Sequence, residues 1–178
     1  MWSHPLYTQC NHDVIEIEEE YLPHLELARS FMGLTEVTPN SSPEIDMVLE
    51  FVGLKPGNPY CAASVSYWIG VSGVNYPTVR SGLARHFILP NSIPAFKILT
   101  GIEVAYPGDI AVWQRGNSIY GHTGVIDEWD QADGYILEGN TSSGNQGSQF
   151  DGEGFYRRHR TIVPGAAFRI TYVTRVEY

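Results

Sequence analysis

The chain has 178 residues, 43% of them hydrophobic and 17% charged, with 18 glycines; this is the composition of one compact globular domain and excludes disordered or fibrous classes. Eleven Lys and Arg stand against 20 Asp and Glu, a formal net charge of −9, which argues against a protein that works by neutralising nucleic-acid phosphates or by clinging to anionic polymers through its own charge. Two cysteines are too few for a disulfide scaffold, and no apolar run reaches the roughly 18 residues of a membrane span.

Residues 1–20 are expected to form a loose N-terminal extension. The opening "MWSHPLYTQCNHD" shows neither the basic nor the apolar region of a signal peptide, and the acidic run Glu16 to Glu20 suits a solvated face. A Cys10–Cys61 bridge is disfavoured because Cys10 lies in this stretch. Leu22, Leu25, Ala28 and Met32 then recur at three or four residues and predict a helix from Pro23 to Met32, ended by Gly33. In "SSPEIDMVLEFVGL" a Ser41 or Ser42 cap, Pro43 in the first turn and the stripe Ile45, Val48, Leu49, Val52 predict a second helix, ended by Gly53. After the turn "KPGNP" a third begins close to Cys61, with Ala62, Val65, Trp68 and Ile69 on one side and Gly73 as its stop. A shorter helix is expected through "TVRSGLARHF". From residue 102 onward, short Val-, Ile-, Tyr- and Trp-rich segments alternate with glycine turns: "GDIAVWQ", "GHTGVIDEW", "GYILEGN", "FYRRHRTI" and "AFRITYVTRVEY". These predict antiparallel strands, and helices followed by strands predict an α+β domain, N-terminal helices packed on a twisted antiparallel β-sheet.

Cys61 stands at the first turn of its helix, where unpaired backbone N–H groups and the helix dipole favour a thiolate. The same position suits a small buried residue, so position alone leaves both readings open. A nucleophilic cysteine needs a base. His4 and His12 lie in the loose N-terminus, His24 and His86 read as surface or helix-end residues, and the charges of "RRHR" disfavour a protonated His159. His122, in "YGHTGVI", has a glycine on either side within two residues and opens a buried strand. On the next strand Glu138 and Asn140, two residues apart, point to one face; either could accept the His122 ring N–H and fix its orientation. The bland alternative for both is a polar strand end. Asn58 reads as a turn former with a lesser claim to be a side-chain oxyanion donor, and Trp113, Tyr120 and Trp129 suit either a groove or the core.

The motifs "NPYCAASVSYWI", "PGDIAVWQ", "GHTGVI" and "EGN", in that order and spacing, resemble the CHAP domain (cysteine, histidine-dependent amidohydrolase/peptidase) of the papain-like and NlpC/P60 superfamily. The resemblance spans about residues 25–175 and implies that 1–178 is a single catalytic domain with the papain-like fold. It implies a peptidoglycan hydrolase, either an N-acetylmuramoyl-L-alanine amidase or a crossbridge endopeptidase, with Cys61 as nucleophile, His122 as general base, and Glu138 and Asn140 as their acidic and amide partners. Ser64 and Tyr60 depart from the aromatic and Trp common at those places, which puts the shape of the groove in question. No cofactor is implied, and no Asp-rich calcium loop precedes Cys61. A zinc site on His122, Glu138 and a further histidine lacks the usual ligand spacing. The expected partner is bacterial peptidoglycan, with an immunity or delivery protein as a further one and neither nucleic acid nor membrane. The chain is expected to be made without a signal peptide and to act on the wall or periplasm after release, injection or secretion. Competing readings are an inactive CHAP-like component of a phage tail or secretion machine and a thiol hydrolase of a non-wall amide.

Overall fold

The structure, a computed structural model, describes residues 21–114, 116, 118–144, 152–166 and 169–178. Three helices come first: α1 (Pro23–Phe31), α2 (Pro43–Phe51) and α3 (Cys61–Val71). A 3-10 turn at Ala84–Phe87 leads into β1 (Ile93–Pro94), α4 (Ala95–Leu99), β2 (Ile110–Gln114), β3 (Gly121–Asp130), β4 (Asp133–Thr141), β5 (Gly154–Thr161) and β6 (Tyr172–Thr174). The strands form one antiparallel sheet in the order β1-β6-β2-β3-β4-β5. The architecture is α+β, helices on an antiparallel sheet.

The helix boundaries follow local chemistry. Ser42 caps α2, its Oγ accepting from the Ile45 N–H, and Pro43 supplies the fixed φ of the first turn. Gly33, Gly53 and Gly73 stand just past the three helices with positive φ, the backbone conformation at which a chain leaves a helix most cheaply. α3 is buried on nearly every side, as befits a helix that is apolar all round. Its two interior serines are satisfied by backbone carbonyls: Ser64 Oγ donates to the Tyr60 carbonyl at 2.7 Å and Ser66 Oγ to the Ser81 carbonyl at 2.9 Å.

The second of these contacts explains one difference from expectation. Val79, Leu83 and Phe87 recur at helical spacing, yet residues 78–83 are not helical; the Ser81 N–H donates back to Ser66 Oγ, tying that backbone along α3, and only Ala84–Phe87 closes a 3-10 turn. The last predicted strand is likewise confined to Tyr172–Thr174. α4 has only five residues, too few to show a period.

The sheet is covered on both faces. Ile110, Val112, Val125, Leu137 and Phe155 pack against α1, α2 and α3, while Ala111, Trp113, Ile126, Ile136 and Val173 face a second cluster that includes Ala95 and Ile98 of α4. Phe155 is the link between layers: its ring lies 5.2 Å from Phe31 of α1, 5.2 Å from Tyr60 and 6.2 Å from Trp68 of α3. Close approach of α3 to β4 depends on small residues, since a Cβ at Gly139 would meet Ser64 Oγ at 2.7 Å. We expect Phe155→Ala to lower the unfolding free energy by about 3–5 kcal/mol, the usual cost of emptying a fully buried aromatic site, as read from urea denaturation.

Candidate active site

Cys61 is the first residue of α3. Tyr60 occupies the N-cap without a side-chain cap hydrogen bond, so the first-turn N–H groups are not taken up by a capping side chain. The thiol is free and 7% exposed, at a cavity of about 600 Å³ whose walls include Leu54, Asn58, Arg80, Leu83 and Tyr120. Cys10 lies outside the described residues.

His122 pairs across strands with Trp113, and their rings meet edge to face at 5.1 Å. It is wholly buried. Its Nε2 is 3.0 Å from Glu138 Oε2, and Cys61 is a second neighbour that acts on the ring. Burial works against the charged imidazole. The charge and hydrogen bond of Cys61 and the Glu138 carboxylate outweigh it, raising the His122 pKa to about 9. These neighbours favour the charged imidazolium form of the ring.

Glu138 is also wholly buried, and burial alone would push its pKa up. Hydrogen bonds and charges from His122 and Arg160 reverse this and hold the carboxyl below its ordinary value. Arg160 grips it with two bonds, Nε to Oε1 at 2.6 Å and Nη2 to Oε2 at 2.7 Å, and its guanidinium lies 5.6 Å from the Trp113 ring centre. Gly124 makes the geometry possible. A Cβ there would meet the Leu137 carbonyl at 2.5 Å and Glu138 Cγ at 3.0 Å, so the glycine clears the path along which the carboxylate side chain passes toward His122.

The structure thus brings together Cys61, His122 and Glu138, and of the two residues proposed to orient the imidazole, the bond to Nε2 comes from Glu138. The simple two-residue alternation does not extend to Asn140. The β4–β5 register shifts between Glu138 and Thr141, and Asn140 is buried with φ 59°. Its backbone faces the Tyr60 hydroxyl, which donates to Glu36 Oε1 at 3.3 Å.

Other assignments change. His24, expected at the surface, is fully buried, with Nε2 2.7 Å from the Gly108 carbonyl and Nδ1 on the Tyr178 hydroxyl; it ties α1 to the turn before β2 and to the last residue. Tyr60 and Ser64 were expected to shape the groove; both are wholly buried and face the core, toward Phe155 and Gly139, and neither lines the cavity. Asn58 lines the cavity, with its amide donating to the Lys55 carbonyl at 2.8 Å as a turn former does. Of the three aromatics, Tyr120 borders the cavity, Trp113 backs His122, and Trp129 packs with the second core cluster. His86 and His159 are exposed, beside Ser81 and Asp133. His4 and His12 fall outside the described residues. Among the described residues no group of three or more His, Cys, Asp or Glu side chains could hold a metal ion. Arg160 is the residue that sequence reasoning missed. Its signal was the Arg158/Arg160 pair two apart on a strand neighbouring that of Glu138, the spacing of one sheet face.

Fold and site define an α+β domain in which a core helix presents a thiol to an imidazole and carboxylate held by an antiparallel sheet. Residues 53–140 match the family model described as the CHAP domain, a span that runs from Gly53 to Asn140 and so includes Cys61, His122 and Glu138. Among solved structures, the fold is similar to that of the wild-type endolysin LysIME-EF1, with a TM-score of 0.50 and 17% identity over 85% of this chain and 62% of that one. This chain therefore spans less than two thirds of that endolysin chain. No curated protein matches it.

We expect Gly124→Ala to displace Glu138 and cost about 1–3 kcal/mol, the range for inserting a methyl group into a filled site, with a matching loss of Cys61 reactivity toward iodoacetamide. Arg160→Met should cost about 3 kcal/mol or more in urea denaturation, since it leaves a buried carboxylate without its bidentate partner.

Proposed function

We propose that this protein is a peptidoglycan hydrolase that cleaves an amide bond by thiol-mediated acyl transfer. The observation that carries the reading is the buried series Cys61–His122–Glu138, closed behind by Arg160 and open in front to a cavity large enough for a peptide. The CHAP match and the likeness of fold to an endolysin support the choice of substrate polymer.

In the proposed reaction the Cys61 sulfur, as thiolate, attacks the amide carbonyl carbon, and the carbonyl π pair moves to oxygen. Backbone N–H groups of the first turn of α3 receive that oxyanion, aided by the positive end of the helix. Collapse breaks the C–N bond, and the leaving amine takes the proton from His122. Water then attacks the thioester as His122 removes its proton, and the carboxylic product leaves as the Cys61 thiolate returns. Glu138 keeps the imidazole oriented through Nε2 and favours its charged form; Arg160 keeps Glu138 ionised. Asn140 is assigned to the same cluster as its amide member, from the strand end next to Glu138. The bond cut is that between muramic acid and L-alanine or one within the crossbridge.

Digestion of purified sacculi followed by mass spectrometry tests this. Stem peptides with a new L-alanine amino terminus identify an amidase, and split crossbridges an endopeptidase; intact sacculi from several wall types would rule out the reading, as would unchanged activity in Cys61→Ala. The pH dependence carries a sign. His122 has a folded pKa above its ordinary 6.5, so its charged form and its share of stability are present in full below about 6.5 and are lost as pH rises through about 9. Activity should fall on the alkaline side near pH 9. In Glu138→Gln, which removes an anion that raises this value, that limb should move to lower pH in a rate–pH profile.

A further inference from the structure

The cavity in front of Cys61 is mostly apolar in its walls, with Val52, Leu54, Leu83 and Ile119 among them. Among the described residues that line it, Arg80 is the sole charged side chain, in a chain whose formal net charge is −9. Arg80 is exposed, and a single cation on the apolar wall of a cleft in an otherwise acidic protein attracts an anionic group to that one place.

The Arg80 side chain is held there by its neighbours. Its guanidinium carbon lies 4.3 Å from the centre of the Phe51 ring, and its Nε donates to the Phe51 carbonyl. Phe51 is itself fixed. Its ring meets Tyr67 of α3 edge to face at 5.5 Å, and it occupies the space that a side chain at position 70 would need, since a Cβ at Gly70 would meet Phe51 Cζ at 2.6 Å. Glycine inside a helix costs about 1 kcal/mol relative to alanine, and here it gives the aromatic platform its seat. With Nε and the ring face engaged, the two terminal nitrogens make no hydrogen bond or ion pair among the described residues. Two parallel N–H donors on a planar group that cannot lose its charge are matched to a carboxylate.

We propose that Arg80, seated on Phe51, is a substrate-anchoring residue that selects peptides carrying a free carboxylate near the scissile amide. This deepens the peptidoglycan-hydrolase reading and rests on it: stem peptides carry such a carboxylate on D-glutamate, and amidation of that group removes the charge. Anchoring the carboxylate at Arg80 orients the chain along the apolar walls toward Cys61.

The test uses the full-length Cys61→Ser protein and two synthetic peptides, L-Ala–γ-D-Glu–L-Lys and its counterpart with the glutamate carboxylate amidated, both amidated at the C-terminus so that the pair differs by one charge. Calorimetry should give about tenfold tighter binding of the free carboxylate, the scale of one charge-assisted pair. Arg80→Gln in that background should bring the ratio to about one, and Arg80→Lys should restore part of it. Equal binding of both peptides, or a preference that survives Arg80→Gln, would overturn the assignment. Digestion of sacculi by the wild-type protein separates the two claims. Equal binding with sacculi still digested removes only the role of Arg80, whereas sacculi left intact remove the hydrolase reading and the anchor with it.

Discussion

A carboxylate with no access to water sits at the centre of this structure. Glu138 accepts two bonds from Arg160 and one from His122, and each of those partners depends on it in turn. An ionised carboxylate moved from water into a protein interior costs several kcal/mol unless its charge and lone pairs are met. Here they are met by one permanent cation and one imidazole whose charged form the arrangement favours. The surrounding strands are built to that requirement. Gly124 leaves room for the side chain to pass, Trp113 packs against the imidazole edge and beside the guanidinium, and β5 delivers Arg160 from a neighbouring strand.

The helical layer has the complementary task of bringing a thiol to that imidazole and holding it there. α3 is buried on almost all sides, so its first residue cannot shift without disturbing the aromatic contacts among Phe31, Tyr60, Trp68 and Phe155. Ser64 and Gly139 set the spacing between helix and sheet. A larger residue at either position would push α3 away from β4, which gives the small Ser64 a structural reason. The thiol then lies between a rigid interior and an open cavity whose single charged wall residue is Arg80.

Much of this was legible in the sequence, because its signals were local. A cap, a proline and a glycine mark α2; a turn and an apolar run place Cys61 at the start of α3; the glycines around His122 and the short strand after it point to Glu138. What was not legible depended on contacts distant in the chain. Arg158 and Arg160 look like surface residues in "FYRRHRTI", since nothing nearby shows that their face of β5 is buried against Glu138 and the backbone at Ser143 and Gly144. His24 looks solvated until its partners at Gly108 and Tyr178 are known. The helical spacing of Val79, Leu83 and Phe87 misleads because Ser66, on another element, ties down the intervening backbone. Asn140 was placed by strand alternation, and a register shift that no local residue pattern announces intervenes.

In the proposed reaction Cys61 is a nucleophile made reactive by the buried His122, and its alkylation rate by iodoacetamide at pH 6 measures this most directly. At that pH an ordinary exposed thiol is almost entirely protonated and reacts slowly. The wild-type protein should be modified at Cys61 much faster than a model thiol such as glutathione, and Glu138→Gln should lose most of that advantage. A wild-type rate no greater than that of glutathione would contradict the nucleophilic role of Cys61.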